Sequence, residues 1–211
     1  FFGTNCQRQA HSYYPTYLYD DDRKLPLDNP PFPAHQTLPD GADPQDPASY
    51  KGYAGKDYAP DLIWERARGF VRENRDRPFF LYLPTTVPHL ALQVPEDSLA
   101  EYRGIWPDPP YRGDKSYLPH PSPRAAYAAM VTRMDREVGR IVELLRELGL
   151  DERTIVVFTS DNGPTYDRLG GSDSTFFRSA GPFRGLKGSL YEGGVRVPAI
   201  VRWPGRVPAG L

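Results

Sequence analysis

Proline occupies 24 of the 211 positions, about twice its usual share. It fixes φ and removes a backbone donor, so helices and strands must fit between prolines. A few regular elements joined by long irregular connections are therefore expected. With 19 glycines the two residues make up about a fifth of the chain, short of the roughly 25–30% that marks low complexity. A hydrophobic share of 39% and a charged share of 25% are enough for a packed core, and the length is ordinary for one domain. Basic and acidic residues nearly balance, for a net charge of -1, which gives no basic footprint for nucleic acid. The single Cys excludes an internal disulfide framework and a thiolate zinc site. No apolar run approaches ~18 residues, so no membrane span is expected.

The opening stretch from Phe1 to about Asp57 is rich in Tyr, Pro and Asp and predicts ordered loop with one short hairpin. Tyr58 to Asn74 predicts a helix, with Pro60 and Asp61 in its first turn. Phe79 to Leu83 predicts a buried strand. Ser122 and Pro123 open the clearest helix, whose apolar face runs through Tyr127, Met130, Met134, Val138, Ile141 and Leu145 and stops at Gly149. Thr154–Thr159 and Val195–Val201 predict two more strands, with Pro198 pushing the second toward an edge. This order predicts an α/β fold, a mixed and mainly parallel sheet with helices on both faces. Ligand sites in such sheets lie past the carboxyl ends of the strands.

Two predicted strand ends and one glycine-rich loop carry polar groups. The strand ending at Thr159 runs into Ser160-Asp161-Asn162-Gly163-Pro164. A carboxylate beside an amide oxygen suits a hard cation, and the same residues equally make a turn. His89 follows Pro88 just past the Phe79–Leu83 strand. It suits an anion contact or a general acid, or is a surface histidine in a Pro-rich loop. Lys187 lies between Gly185 and Gly188 in Gly-Leu-Lys-Gly, followed by Tyr191-Glu192-Gly193-Gly194. Glycines let a backbone approach a ligand, and a lysine is a compact charge for sulfate or phosphate. An ordinary solvated lysine also fits, and the loop is no Walker A pattern.

Taken in order, these segments resemble the sulfatase family, the arylsulfatase and N-acetylgalactosamine-6-sulfatase branch of the alkaline-phosphatase-like superfamily. The matching stretches are Asn5-Cys6-Gln7-Arg8-Gln9-Ala10-His11, Phe79–Leu83 leading to Pro88-His89, Thr159–Pro164, Gly185–Gly188 with Tyr191–Pro198, and Arg202-Trp203-Pro204-Gly205. The resemblance implies hydrolysis of a sulfate ester, aryl sulfate or sulfated carbohydrate, with one Ca²⁺ bound through Asp161 and Asn162. It implies that Lys187 and His89 contact the sulfate, with His89 also protonating the leaving group, and that His11 or Ser12 adds a substrate contact. It further implies an exported setting: periplasmic, extracellular or lysosome-like.

The family's nucleophile, a formylglycine made in a Cys/Ser-x-Pro-Ser-Arg segment, has no match here. Cys6 is followed by Gln-Arg-Gln-Ala, and Pro121-Ser122-Pro123-Arg124 is taken as a helix cap. Asp20-Asp21-Asp22 is taken as solvated loop rather than the family's N-terminal metal pair. Residues 1–211 are thus expected to be an internal part of one catalytic domain. The nucleophile segment is expected upstream, the C-terminal subdomain is absent, and these residues alone are expected to be inactive. The alternatives are a phosphodiesterase or phosphonate hydrolase of the same superfamily, and a non-catalytic protein that binds sulfated glycan.

Overall fold

A computed structural model describes residues 1–210; Leu211 lies outside the described residues. The opening stretch holds a three-stranded antiparallel sheet, β1 (Phe2–Gly3), β2 (Tyr17–Asp20) and β3 (Arg23–Pro26), with a single helical turn, α1 (Gln7–Ala10), after β1. Asp20 pairs with Arg23, so Asp21 and Asp22 form the hairpin turn. Asp21 takes φ 54°, the sign that tight hairpins ask of their central residues. All three aspartates are exposed, but Asp20 closes β2 and only Asp21 and Asp22 are loop.

Two long helices form the scaffold, α2 (Ala59–Glu73) and, beyond the short α3 (Glu96–Leu99), α4 (Pro123–Glu147). Each begins with proline in its first turn, where the missing N–H costs nothing. The cap of α4 differs from the expectation. Ser122 holds the cap position, but its hydroxyl makes no cap bond. The Asp108 carboxylate arrives from the preceding connection and accepts from the N–H groups of Arg124 (3.0 Å) and Ala125 (2.9 Å). At the other end Gly149 takes φ 66°. There the Leu150 N–H reaches the Leu145 carbonyl at 2.8 Å and the Gly149 N–H reaches Arg146 at 3.0 Å, a Schellman stop.

The buried face of α4 is rotated from the predicted one. Ala125, Ala126, Ala129 and Met130 are fully buried against Tyr13, Tyr58, Leu90, Leu92 and Leu118, because alanines let the loop core approach the helix closely. Ion pairs cross from α4 to its neighbours. Arg133 donates to both carboxylate oxygens of Asp61 at 2.8 and 2.5 Å and to Asp97 at 3.0 Å. Glu137, only 4% exposed, accepts from Arg68 and Arg140. Asp135, by contrast, lies on the exposed side.

The C-terminal part supplies β4 (Val156–Thr159), the single turn α5 (Glu192–Val195) and β5 (Ala199–Arg202). β4 and β5 pair antiparallel, Phe158 opposite Ile200. Pro198 stands just before β5, so the predicted strand over 195–201 shortens and its first residue ends a helical turn. Phe79–Leu83 is extended but joins no sheet among the described residues. Its side chains still alternate. Phe79 and Leu81 pack with Val156 onto Val71, Leu144, Leu145 and Leu150, whereas Phe80 is 85% and Tyr82 76% exposed. β4 behaves likewise: Val157 is 62% exposed, so this β-branched strand is not the buried one its composition suggests. The helices α2 and α4 cover one side of this apolar layer, and the whole is an incomplete α/β core.

Candidate functional site

Three of the chain's four histidines meet around one tyrosine. His11 and His89 stack with ring centroids 5.6 Å apart and planes 9° apart. His35 approaches His11 edge-on at 5.2 Å. The Tyr117 ring lies 5.1 Å from His11, 4.7 Å from His35 and 5.9 Å from His89. The buried core explains why residues so distant in sequence meet. The Tyr13 hydroxyl donates to the carbonyls of Thr86 (2.8 Å) and His89 (2.7 Å), and the Tyr13 N–H donates to Gln93 at 2.8 Å. Tyr13 is 2% exposed, and burial raises its phenol well above the ordinary range, so it stays a donor. Residues 11–14 are thereby stitched to residues 86–93. The peptide bonds Val87–Pro88 and Leu90–Ala91 are both cis.

The polar edges of the rings follow a definite chain. His89 Nδ1 lies 2.7 Å from the Leu90 carbonyl, which can only accept, so Nδ1 carries a hydrogen. His11 Nδ1 and His35 Nε2 are 3.1 Å apart. Burial, and after it the neighbouring His89, His35 and Lys187, hold the His11 imidazole below its ordinary range. Ser116 and Tyr117 have φ of 66° and 64°. This left-handed conformation costs a non-glycine residue about 1–2 kcal/mol, and such outliers concentrate at functional sites.

The second group is built from backbone. The Gly163 N–H donates to the Gly194 carbonyl at 3.0 Å, and the Lys187 N–H donates to the Pro164 carbonyl at 2.8 Å. The loop after β4 and the Lys187 loop are thus one unit. Glycine is required there for room: a Cβ on Gly163 would strike the Gly193 carbonyl, and one on Gly193 the Gly185 carbonyl. Lys187 is partly buried, and its charge is felt at His11. The structure therefore brings the loop of Asp161 and Asn162 and the loop of Lys187 into one unit, while His11 and His89 lie together in the histidine cluster.

Asp161 is exposed and Asn162 partly buried. Asn162 donates its Nδ2 to the Gly163 carbonyl at 2.8 Å, which leaves Oδ1 as its acceptor. A carboxylate and an amide oxygen are hard donors of the kind calcium takes. Calcium takes about 6–8 oxygens, more than this pair alone can offer. Among the described residues no group of three or more His, Cys, Asp or Glu is arranged to hold a metal. The pair fits calcium as a partial ligand set. Ser12, the alternative to His11, is buried and accepts from the Tyr14 N–H at 3.3 Å, so it is engaged in the chain's own turn. Sequence reasoning passed over His35, Ser116 and Tyr117. The one available signal was the scarcity of histidine.

Residues 4–210 match the family model described as Sulfatase, and the chain belongs to the sulfatase family. It is 36% identical over 166 residues to the steryl-sulfatase of Mus musculus, across 79% of this chain and 22% of that protein. It is 36% identical over 152 residues to the N-acetylgalactosamine-6-O-sulfatase of Bacteroides thetaiotaomicron, across 70% of this chain and 26% of that protein. Among solved structures it is similar to Ps i-CgsB in complex with k-i-k-neocarrahexaose, at 32% identity and a TM-score of 0.57, covering 76% of this chain and 31% of that one. The incomplete α/β core is thus of the alkaline-phosphatase-like kind. The chain spans about a quarter of the length of these curated relatives. No helix among the described residues is long and apolar enough to cross a membrane.

Proposed function

We propose that these residues form part of the catalytic domain of a formylglycine- and calcium-dependent enzyme that hydrolyses sulfate esters. The carrying observation is the backbone lock of Gly163 to Gly194 and Pro164 to Lys187. It couples the Asp161–Asn162 pair to a lysine whose charge reaches the histidine cluster. In this reading Asp161 and Asn162 hold calcium, Lys187 and His89 bind the sulfate, and His11 adds a contact. Calcium, when bound, supplies Lewis-acid polarisation of the sulfate oxygens, and formylglycine supplies the nucleophile.

A sulfate ester resists attack until charge on its oxygens is neutralised, and fixed positive groups provide that. Lys187 places an ammonium against the nonbridging oxygens. His89, whose Nδ1 is tied to Leu90, keeps Nε2 for the proton that goes to the leaving oxygen. The nucleophile and the remaining ligands come, in this reading, from polypeptide outside residues 1–211, so these residues alone turn nothing over. A sulfated carbohydrate is the favoured substrate over a simple aryl sulfate, supported by the N-acetylgalactosamine-6-O-sulfatase relative and the neocarrahexaose complex. A periplasmic, extracellular or lysosome-like compartment goes with that substrate class.

The test is sulfate release from sulfated carbohydrates and aryl sulfates by the intact protein and its Lys187→Ala variant. Removing one preorganised charge contact should lower kcat by roughly 10²–10³-fold in a variant that still folds. Release of phosphate from phosphodiesters, with none of sulfate, would replace this reading by that of a phosphoester hydrolase.

A further inference from the structure

We propose that His35, held by the Ser116–Tyr117 turn, is a positioning residue that fixes His11 as its Nε2–H tautomer, so that His11 offers a hydrogen-bond donor beside His89. The assignment follows from a group that has no choice. The Tyr117 backbone N–H can only donate, and it lies 3.1 Å from His35 Nδ1. That nitrogen is therefore an acceptor, and the Ser116 hydroxyl at 2.8 Å donates to the same lone pair. A neutral imidazole with a bare Nδ1 carries its hydrogen on Nε2. His35 Nε2 faces His11 Nδ1 at 3.1 Å, so His35 donates and His11 Nδ1 accepts. The hydrogen of His11 is left on Nε2, which no hydrogen bond within the described residues uses.

The backbone shows that this arrangement is held in place. Ser116 and Tyr117 are consecutive non-glycine residues in the left-handed region, at φ 66° and 64°. That conformation turns both the Tyr117 N–H and the Ser116 hydroxyl onto one histidine nitrogen. The Tyr117 carbonyl in turn accepts from the Gln36 N–H at 3.3 Å, which pins the residue after His35. The rings facing His11 are His35, His89 and Tyr117, and the Lys187 charge acts on it as well. With positive charge already present at Lys187, a neutral donor suits a sulfate oxygen better than an acceptor would. The proposal rests on the reading of His11 as a substrate contact.

The test uses the intact protein with ¹⁵N-labelled histidine at mildly alkaline pH. Long-range proton–nitrogen correlations report which nitrogen of His11 bears the hydrogen. Wild type should show Nε2–H alone, with Nδ1 shifted as an acceptor. His35→Gln offers an amide donor to His11 and an acceptor to Tyr117, and should keep that signature and the kinetics. His35→Phe should lose the acceptor shift at Nδ1, populate both tautomers and lower kcat/KM roughly tenfold, the effect of one hydrogen bond. A His11 hydrogen on Nδ1 in wild type, or an unchanged signature in His35→Phe, overturns the proposal. The spectra do not depend on turnover. If the signature follows His35 while no sulfate is released, the tautomer lock stands and the sulfatase reading of this site fails.

Discussion

The Asp161–Lys187 side of the candidate site is held by backbone, whereas the His11–His35–His89 side is held by side chains. In the first, main-chain hydrogen bonds and glycine-to-carbonyl contacts join two loops that are largely exposed. In the second, Tyr13 and Gln93 tie residues 11–14 to residues 86–93, and the His35 ring is held by the Tyr117 N–H and the Ser116 hydroxyl. A backbone-held unit tolerates changes at its surface side chains and fails when a Cβ is added. A side-chain-held unit fails in graded steps, one hydrogen bond at a time.

The largest effect is expected on the backbone side. Gly193→Ala drives a Cβ into the Gly185 carbonyl, which is main chain and cannot rotate away. The cost should sit at or above the upper end of the ~1–3 kcal/mol typical of overpacking. It should fall on the Lys187 loop, so sulfate release collapses while α2 and α4 keep their hydrogen-exchange protection. Full activity in Gly193→Ala would erase the contrast between the two sides.

A smaller and pH-dependent effect is expected near the side-chain-held part. His120 accepts from the Ser122 N–H at 3.0 Å at the start of α4. Burial lowers it from the ordinary 6.5 to about 4. A depressed histidine is protonated in the unfolded chain before the folded one, so stability is complete above about 6.5 and falls as pH drops toward about 4. The slope approaches ~1.4 kcal/mol per pH unit at most and is reduced by the partial exposure of His120. His120→Gln keeps an acceptor and does not titrate, so its unfolding midpoint should vary less over that window. An identical acid slope in both proteins would show that His120 is not the group responsible.

The same contrast explains what the sequence made legible. Asp161-Asn162-Gly163 and Gly185–Gly194 were visible through their order along the chain, which carries the family resemblance, and the crowding of Gly163 and Gly193 against neighbouring carbonyls explains why glycine stands there. The two long helices were visible through their prolines, the terminal Gly149 and their apolar periodicity. His35 was not visible, because its partners lie 24 and 82 residues away and nothing near it in sequence announces them. Asp108 as the cap of α4 was hidden for the same reason, 16 residues before its nearer partner. Phe79–Leu83 has the composition of a buried strand, and composition says nothing about whether a neighbouring strand is present to pair with it.

The most direct test of the central claim is calcium-binding calorimetry on the intact protein and its Asp161→Ala variant, with sulfate release followed in the same samples. The account predicts that calcium binding and turnover are lost together in the variant, since Asp161 brings the one carboxylate of the Asp161–Asn162 pair. Retained turnover at normal calcium affinity would contradict it.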